Sequence, residues 1–554
     1  MSQPELVDLV KKLRAKRKYG IVWEEEKTKE HLEFNPITSL PLISESIKMN
    51  IHTNDSNLNH CLIEGDNYYA LSILRYTHEN KIDLIYIDPP YNTGNSEEEE
   101  GFVYNDKRVD ADDTYRHSKW LSFMHKRLLL AKDLMSDTGF IFISIDENEF
   151  AQLRLLCDRI FGERNFINYF VWKKRSTGGQ VKDGSIITQT EFIFAYAKNK
   201  NLAKLNKLEN LNSGATKWRD LRKSGGQWQR QYRPKQYFPF FYNETKDSLS
   251  LERSSETDIE VYPQDSNGVD GFWENGFETA STRLANNEYR AEKIAKGSQK
   301  GIYKIKQLEV AGDEQNVGNF IDIPSVQGAN EIKKLGLKFN NAKPLALIEH
   351  LLKIGSKPNS IILDFFAGSG TTGHAVLNLN IETNSRRQFI LITNNENNIH
   401  DEVTYPRLSK VIKGYQDSSG RDVKGISANL NCFKVWFLAK SQNSDEMKIR
   451  LTENISDILR LKEATYTPIE TENLDNKIFG DKNKVLAIYN SFDPSNLDEL
   501  RLTLDKFGAK RNKLYVFTFD KEGLNAEYFS EWKHTDVEPI PQGLINILEN
   551  FNDN

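Results

Sequence analysis

The sequence predicts an α/β fold: a doubly wound, mostly parallel sheet encoded in two halves, with an inserted domain between them and a small C-terminal α/β lobe after them. Three observations predict it. Short apolar runs alternate with helical patterns over residues 61–200 and again over 331–440. The alternation breaks over 201–330, a polar, turn-rich, aromatic stretch holding Gly225-Gly226, Pro263 and Asn267-Gly268. Beyond it, Val485–Tyr489 and Lys513–Phe519 read as strands of a separate lobe over 441–554.

The elements follow in order. Residues 1–60 are mixed and polar, with a basic helical stretch at Lys11–Lys18, and read as an N-terminal arm. Cys61–Glu64 is a short strand, then Gly65-Asp66 opens a helix over Asn67–Tyr76. Asp83–Ile87 is an apolar strand that stops at Asp88-Pro89-Pro90-Tyr91, and Glu97–Glu100 is an acidic loop. Helical spacing predicts Ser118–Met135 and Glu147–Phe161, with the strand Ile141–Ile145 between them. Phe166–Trp172 and Glu191–Ala197 are aromatic-rich strands. After the insert come a helix over Leu345–Ile354, a strand Ile361–Phe366, a glycine-rich turn, a helix Thr371–Leu379 and a strand Phe389–Thr393.

Composition narrows the function classes. With 554 residues, 38% of them hydrophobic, the chain can bury a sizeable core and is not a disordered tract. No run reaches the roughly 18–20 apolar residues that span a bilayer. Met1–Glu5 starts no apolar segment, which predicts no signal peptide, no membrane association and a cytoplasmic chain. Three scattered cysteines, Cys61, Cys157 and Cys432, make neither a disulfide framework nor a zinc site, and the ten histidines show no ligand spacing, so no metal is expected. The net charge of -5 excludes a uniformly basic nucleic-acid coat. Yet Lys198–Phe238 holds eleven Lys or Arg against two acids, a balance of +9, with Trp218, Trp228, Tyr232 and Tyr237 interleaved. Cations meet phosphates and aromatic rings stack on bases; the alternative is a solvated loop with packing aromatics.

Two motifs carry chemistry. Asp88-Pro89-Pro90-Tyr91 ends a strand with two prolines that cannot extend a ladder, so the turn is stiff and open. An acid, proline carbonyls and a flat ring together suit a planar amino group on a ring; the alternative is a rigid turn. The second motif is Leu363-Asp364-Phe365-Phe366-Ala367-Gly368-Ser369-Gly370-Thr371-Thr372-Gly373, whose glycines let backbone approach a ligand at a helix N-terminus. Gly368, Gly370 and Gly373 also satisfy G-x-G-x-x-G, which keeps an NAD-dependent oxidoreductase open, with Glu396 as the late acid. That reading leaves Asp88–Tyr91 without a task.

The pair resembles amino-methyltransferases that use S-adenosylmethionine, in which D-P-P-Y is the catalytic motif and F-x-G-x-G, here Phe366 to Gly370, the cofactor motif. The order, catalytic motif first and cofactor motif after an insert, resembles the β class of DNA methyltransferases. Leu62–Asn67, Gly139–Asp146, Val171–Arg175 and Asn341–Pro344 resemble its flanking segments. Asp401–Arg407 and Val537–Pro541 resemble the modification subunit of Type III restriction-modification systems. The resemblance implies that Asp88 and the Pro89 carbonyl hold a target amine, that Pro90 keeps the turn, and that Tyr91 stacks on a base flipped from the duplex. It implies Asp66, Lys343, Asp364, Phe366, Gly368, Gly370 and Thr371 around S-adenosylmethionine, Lys343 at its carboxylate and Asp66 at its adenine end. The family's ribose-binding acid is replaced by Thr393-Asn394, with Glu396 beyond. Asp before Pro-Pro-Tyr resembles adenine-N6 more than cytosine-N4 enzymes, and no Pro-Cys turn is present for a cytosine-C5 mechanism. The insert is then expected to recognise double-stranded DNA through Arg219, Arg222 and Lys223; Lys173, Lys174 and Arg175 read as a phosphate-contacting loop, with a solvated loop as the alternative. The family implies a homodimer and a separate restriction (helicase-nuclease) subunit docked on 441–554; the alternatives are a solitary methyltransferase and a DNA-reading protein with a vestigial cofactor site.

Overall fold

The computed structural model describes Trp23 and residues 39–540, apart from 54–57, 95–102, 105–106, 110–111, 176–185, 211–212, 215, 296–300, 311–312, 442, 471–475, 482, 490–496, 518–528 and 533. The Lys11–Lys18 stretch, the acidic Glu97–Glu100 loop and Pro541 lie outside the described residues. The chain forms two compact units, one of residues 1–206 with 318–554 and one of Lys207–Val317.

The first unit is built on a ten-stranded sheet. Its strands run in the order Ser39–Glu45, Asn429–Ala439, Asn59–Glu64, Gln388–Thr393, Ile361–Asp364, Ile82–Ile87, Met135–Ile145, Thr190–Ala197, Phe166–Lys173 and Phe320–Asp322. The strands from Asn429–Ala439 to Met135–Ile145 are all parallel. Thr190–Ala197 runs antiparallel to both its neighbours, and Ser39–Glu45 is antiparallel to Asn429–Ala439. The apolar run Ile-Asp-Leu-Ile-Tyr-Ile of the Ile82–Ile87 strand is buried on both faces, as a central parallel strand requires. Ile85 and Ile87 share a core with Leu71 and Leu74 of helix Asn67–His78 and Leu128 and Ala131 of helix Arg116–Leu134. Leu84 points the other way, toward helix Leu345–Gly355. A Cβ on Gly355 would stand 2.4 Å from Leu84 Cδ1 and 2.6 Å from Phe142 Cε2, so only glycine lets that helix lie so close.

Three expectations change. The arm expected over 1–60 does not hold for residues 39–45, because Leu40, Leu42 and Ile43 are buried in the edge strand Ser39–Glu45. The second unit ends at Val317, short of 330, because Phe320–Asp322 pairs with Val171–Lys173 in the main sheet. The C-terminal segment is the expected small α/β lobe, but it does not stand apart from the first unit. Its five strands, Pro468–Ile469, Asn476–Gly480, Lys484–Tyr489, Arg511–Phe517 and Thr535–Ile540, form their own sheet. Yet Leu459, Leu461, Ile488 and Tyr515 join the core that holds Leu40, Ile43 and Leu71. Arg460 makes a two-pronged pair with Glu45, at 2.5 and 2.9 Å, and the Tyr466 hydroxyl lies 3.3 Å from Cys61 Sγ.

The second unit has a core of its own, containing Leu221, Phe240, Trp273, Ala280 and Ile305. Thr216–Asp220, Tyr303–Val310 and Tyr289–Lys293 form one small antiparallel sheet; Ser248–Ser250, Phe240–Asn243 and Ile259–Val261 form another.

Candidate active site

The two motifs end neighbouring strands. Ile361–Asp364 and Ile82–Ile87 are parallel, with Ile362 opposite Leu84 and Leu363 opposite Ile85. They come from the two halves of the chain, and from them the sheet grows outward in opposite directions. Such a switch point leaves a crevice at the carboxyl ends of the strands. Asp88–Tyr91 stands on one side of it and Phe365–Gly370 on the other.

On the first side, four groups converge. Lys343 Nζ lies 2.8 Å from Asp88 Oδ1, 2.8 Å from the Tyr91 hydroxyl and 3.4 Å from Glu191 Oε2. The Tyr91 hydroxyl is also within hydrogen-bond reach of Asp88 Oδ1, at 2.8 Å, and of Glu191 Oε2, at 3.1 Å. Lys174 Nζ donates to Glu191 Oε1 at 2.6 Å. Burial and the neighbouring Asp88 and Glu191 charges hold the Tyr91 phenol well above its ordinary pKa, so it stays neutral. The turn itself is pinned from behind. Trp120 Nε1 donates to the Pro90 carbonyl at 2.7 Å, and Asn92, at φ 56°, donates to the buried Glu149, which also meets His117 Nδ1 at 2.7 Å.

The sequence reading missed Glu191, Trp120 and Glu149. Glu191 had a signal: it is the single acid in the apolar strand Thr190–Ala197, where a carboxylate is costly unless paired.

On the second side, Gly368 and Gly370 take φ 50° and 76°, left-handed values open to glycine, just before helix Thr371–Glu382. Asp364 is spent on the turn: its Oδ1 accepts from the Phe366 N–H at 3.0 Å and its Oδ2 from the Thr372 hydroxyl at 2.6 Å. Burial pushes its carboxyl up to about 7. Thr371 is buried and receives a hydrogen bond from Arg407 Nη1 at 2.7 Å; the Thr404 hydroxyl donates to the Gly368 carbonyl at 2.6 Å. The Asp401–Arg407 segment therefore braces the glycine turn. Asp66 caps helix Asn67–His78 through the Tyr68 N–H at 2.7 Å and pairs with the buried Arg127 at 3.2 Å. The next residue, Asn67, donates to the Phe365 carbonyl at 2.8 Å, which ties that helix end to the turn. Glu396 is exposed on the short turn Glu396–Asn398.

Asp88, Tyr91 and Lys343 are thus brought together, and Asp66 is brought beside the turn of Phe366, Gly368, Gly370 and Thr371. Lys343 lies on Asp88 rather than apart from it. Of the residues expected at DNA, Lys173 pairs with Asp322 at 2.8 Å, Lys174 with Glu191, and Arg175 is exposed. In the second unit, Arg219 pairs with Glu274 at 2.6 Å and Glu309 at 3.3 Å. Arg222 lies 5.4 Å from the Trp228 ring, and Lys223 is half-buried.

The fold is a doubly wound α/β sheet with an acid, a Pro-Pro turn and a glycine turn at its switch point. The sequence pattern of the DNA methylase family N6_N4_Mtase matches residues 82–405, and the chain belongs to that family. It is 34% identical over 403 residues to the Type III restriction-modification enzyme EcoPI Mod subunit of Escherichia phage P1, covering 64% of this chain and 60% of that protein. It is 32% identical to the EcoP15I Mod subunit of Escherichia coli, covering 63% and 61%. It is 35% identical to the Type II methyltransferase M.KpnI of Klebsiella pneumoniae, covering 60% of this chain and 79% of that protein. The matches span about three fifths of the two Mod subunits' length.

Proposed function

We propose that the chain methylates N6 of adenine in double-stranded DNA with S-adenosylmethionine, as the modification subunit of a Type III restriction-modification system. The carrying observation is the Asp88–Tyr91 cluster at the strand end beside the glycine turn. The residues fit the cofactor: Gly368 and Gly370 leave backbone bare at a helix N-terminus, Phe366 offers a ring, and Asp66, 42% exposed, offers a carboxylate for hydroxyls or an amine. Asp364 and Thr371 would act by holding the turn and Glu396 would reach the ribose; Lys343, held on Asp88, is not assigned to the carboxylate. S-adenosylmethionine supplies an electrophilic methyl when bound.

The chain's own residues do the rest. An aromatic amine is a poor nucleophile because its lone pair is delocalised into the ring. Asp88 and the Pro89 carbonyl accept its two N–H bonds and favour a pyramidal nitrogen with its lone pair aimed across the crevice. Tyr91 stacks on the flipped base. Asp88 also faces the positive charge that builds on the nitrogen, so positioning and electrostatics carry the step. The Lys207–Val317 unit reads the sequence, a second copy completes a dimer, and an ATP-dependent helicase-nuclease subunit is the partner. The restriction-modification reading carries a cytoplasmic location with it.

One observation favours a second reading. The match covers more of M.KpnI, 79%, than of the Mod subunits, which supports a methyltransferase of that type, without a docked Type III partner. The test is to incubate the chain with labelled S-adenosylmethionine and unmethylated genomic DNA, then digest to nucleosides. N6-methyladenine is the expected product. N4-methylcytosine would overturn the base assignment, and no transfer would overturn the function. ATP-dependent cleavage with an added helicase-nuclease subunit separates the Type III reading from the solitary one.

A further inference from the structure

Lys343 stands where a substrate amine should. Its ammonium donates to Asp88 Oδ1 at 2.8 Å, the bond that a target N–H would need. An ammonium and an aromatic amine are both donors, so the lysine is a stand-in for the substrate on the Asp88 carboxylate. The stand-in also carries the wrong charge for the reaction. Methyl transfer from a sulfonium to a neutral amine moves positive charge onto that amine, and a second cation on the same carboxylate oxygen opposes it. The ammonium must therefore move or be neutralised as the amine enters.

The nearest place to go is a second carboxylate. Glu191 Oε2 lies 3.4 Å from Lys343 Nζ, and the Tyr91 hydroxyl, 2.8 Å from Asp88 Oδ1 and 3.1 Å from Glu191 Oε2, bridges the two acids. The Glu191 side chain is 9% exposed and that of Lys343 11%, against 26% for Asp88, so the pair lies behind the acid that a base would approach. Burial alone would raise Glu191, but Lys343 and Lys174 hold it below its ordinary value; burial alone would lower Lys343, but Asp88 and Glu191 hold it above. Both stay charged. The rings of Tyr91 and Trp172, with centroids 4.9 and 5.6 Å from Nζ, flank the ammonium.

We propose that Glu191 is a positioning residue: when the target amine binds, it draws the Lys343 ammonium off Asp88 and cancels its charge. This rests on the methyltransferase reading. No bond forms or breaks at Glu191; it acts through Lys343 and Tyr91.

The test compares wild type, Glu191→Gln and the double variant Glu191→Gln/Lys343→Met at saturating S-adenosylmethionine, by single-turnover methyl transfer to unmethylated genomic DNA. Affinities for cofactor and DNA are measured on the same preparations. Glu191→Gln leaves the ammonium on Asp88, so transfer should slow about a hundredfold while both affinities change only a few-fold. Removing the ammonium as well should restore at least about tenfold of that loss. A merely structural Glu191 gives a double variant no faster than the single one, and that result overturns the proposal, as does a wild-type rate in Glu191→Gln. Should the variants fail to fold, the structure of the wild-type chain with S-adenosylhomocysteine and methylatable DNA decides. The Lys343 ammonium should then lie nearer Glu191 than Asp88; an unchanged Asp88 contact overturns the proposal. A wild type that binds DNA but transfers no methyl to it overturns the methyltransferase reading itself, a result distinct from an active wild type without rescue.

Discussion

Charge is held in two ways in this molecule. Around Asp88, two acids and two lysines are packed into the crevice, with the side chains of Glu191 and Lys343 about nine-tenths buried. In the Lys207–Val317 unit several pairs lie at the surface: Arg230 with Asp270, Arg253 with Glu260, Arg290 with Glu292, Lys293 with Glu244. Exposed pairs contribute roughly 0–1 kcal/mol each, so a phosphate can displace their acids at little cost. A buried pair has no such latitude, since stripping one partner leaves the other stranded. The first arrangement suits fixed geometry at a reacting group, and the second suits cations that change partners when a polyanion arrives.

The largest test breaks the buried side. Asp88→Ala should cut methyl transfer by about a hundredfold or more, because a charged acceptor in a partly dry site is lost. Cofactor affinity, measured on the same preparation, should change only a few-fold, since the glycine turn is built from the neighbouring strand. Residual activity above about 10% would remove Asp88 from the reaction.

The second test uses another buried acid. Asp364 is pushed up to about 7 from an ordinary 3.8, with burial the main cause. Below pH 3.8 the group is protonated in both folded and unfolded chains and contributes nothing to pH dependence. Between about 4 and about 7 only the unfolded chain releases the proton, so stability falls as pH rises, by on the order of 4 kcal/mol in all, and is level above about 7. Asp364→Asn should remove that slope. Urea midpoints of wild type and variant between pH 4 and 8 check it; parallel curves would mean that Asp364 ionises normally.

Much of the first unit was legible because its physics is local. The apolar runs at Ile82–Ile87 and Gln388–Thr393 and the helices at Asn67–His78 and Leu345–Gly355 carry their own periodicity, and the structure extends their expected ends by only a few residues. The Pro-Pro and glycine turns announce themselves by backbone restriction. What was not legible depends on distant partners. Phe320–Asp322 is a strand only because Val171–Lys173 lies beside it. Glu191 matters only because Lys343, far along the chain, meets it. The +9 balance over Lys198–Phe238 misleads for the same reason, since acids from later in the unit come back to it: Glu274 and Glu309 to Arg219, Asp270 to Arg230, Glu314 to Lys207. Local sequence charge is not local spatial charge.

That correction gives the smallest and sharpest test. If every cation of the insert met a phosphate, Arg219→Ala, Arg222→Ala and Lys223→Ala would each lower the salt slope of DNA binding by about 0.9. The pairing argues for unequal effects. Arg222 lies against the Trp228 ring and Lys223 is half-buried, whereas Arg219 Nη1 stands 2.6 Å from Glu274 and its Nε 3.3 Å from Glu309. Unlike the surface pairs, Arg219 is only 33% exposed and its partner Glu274 24%; to reach a phosphate it must leave two carboxylates, and DNA would then face both of them. Arg222→Ala/Lys223→Ala should therefore lower the slope by about 2, and adding Arg219→Ala should change it by well under 1. The measurement is binding against salt concentration on one duplex. A full further unit from Arg219 would show that DNA breaks both its ion pairs, and an unchanged slope in the double variant would show that this face of the unit does not meet phosphates.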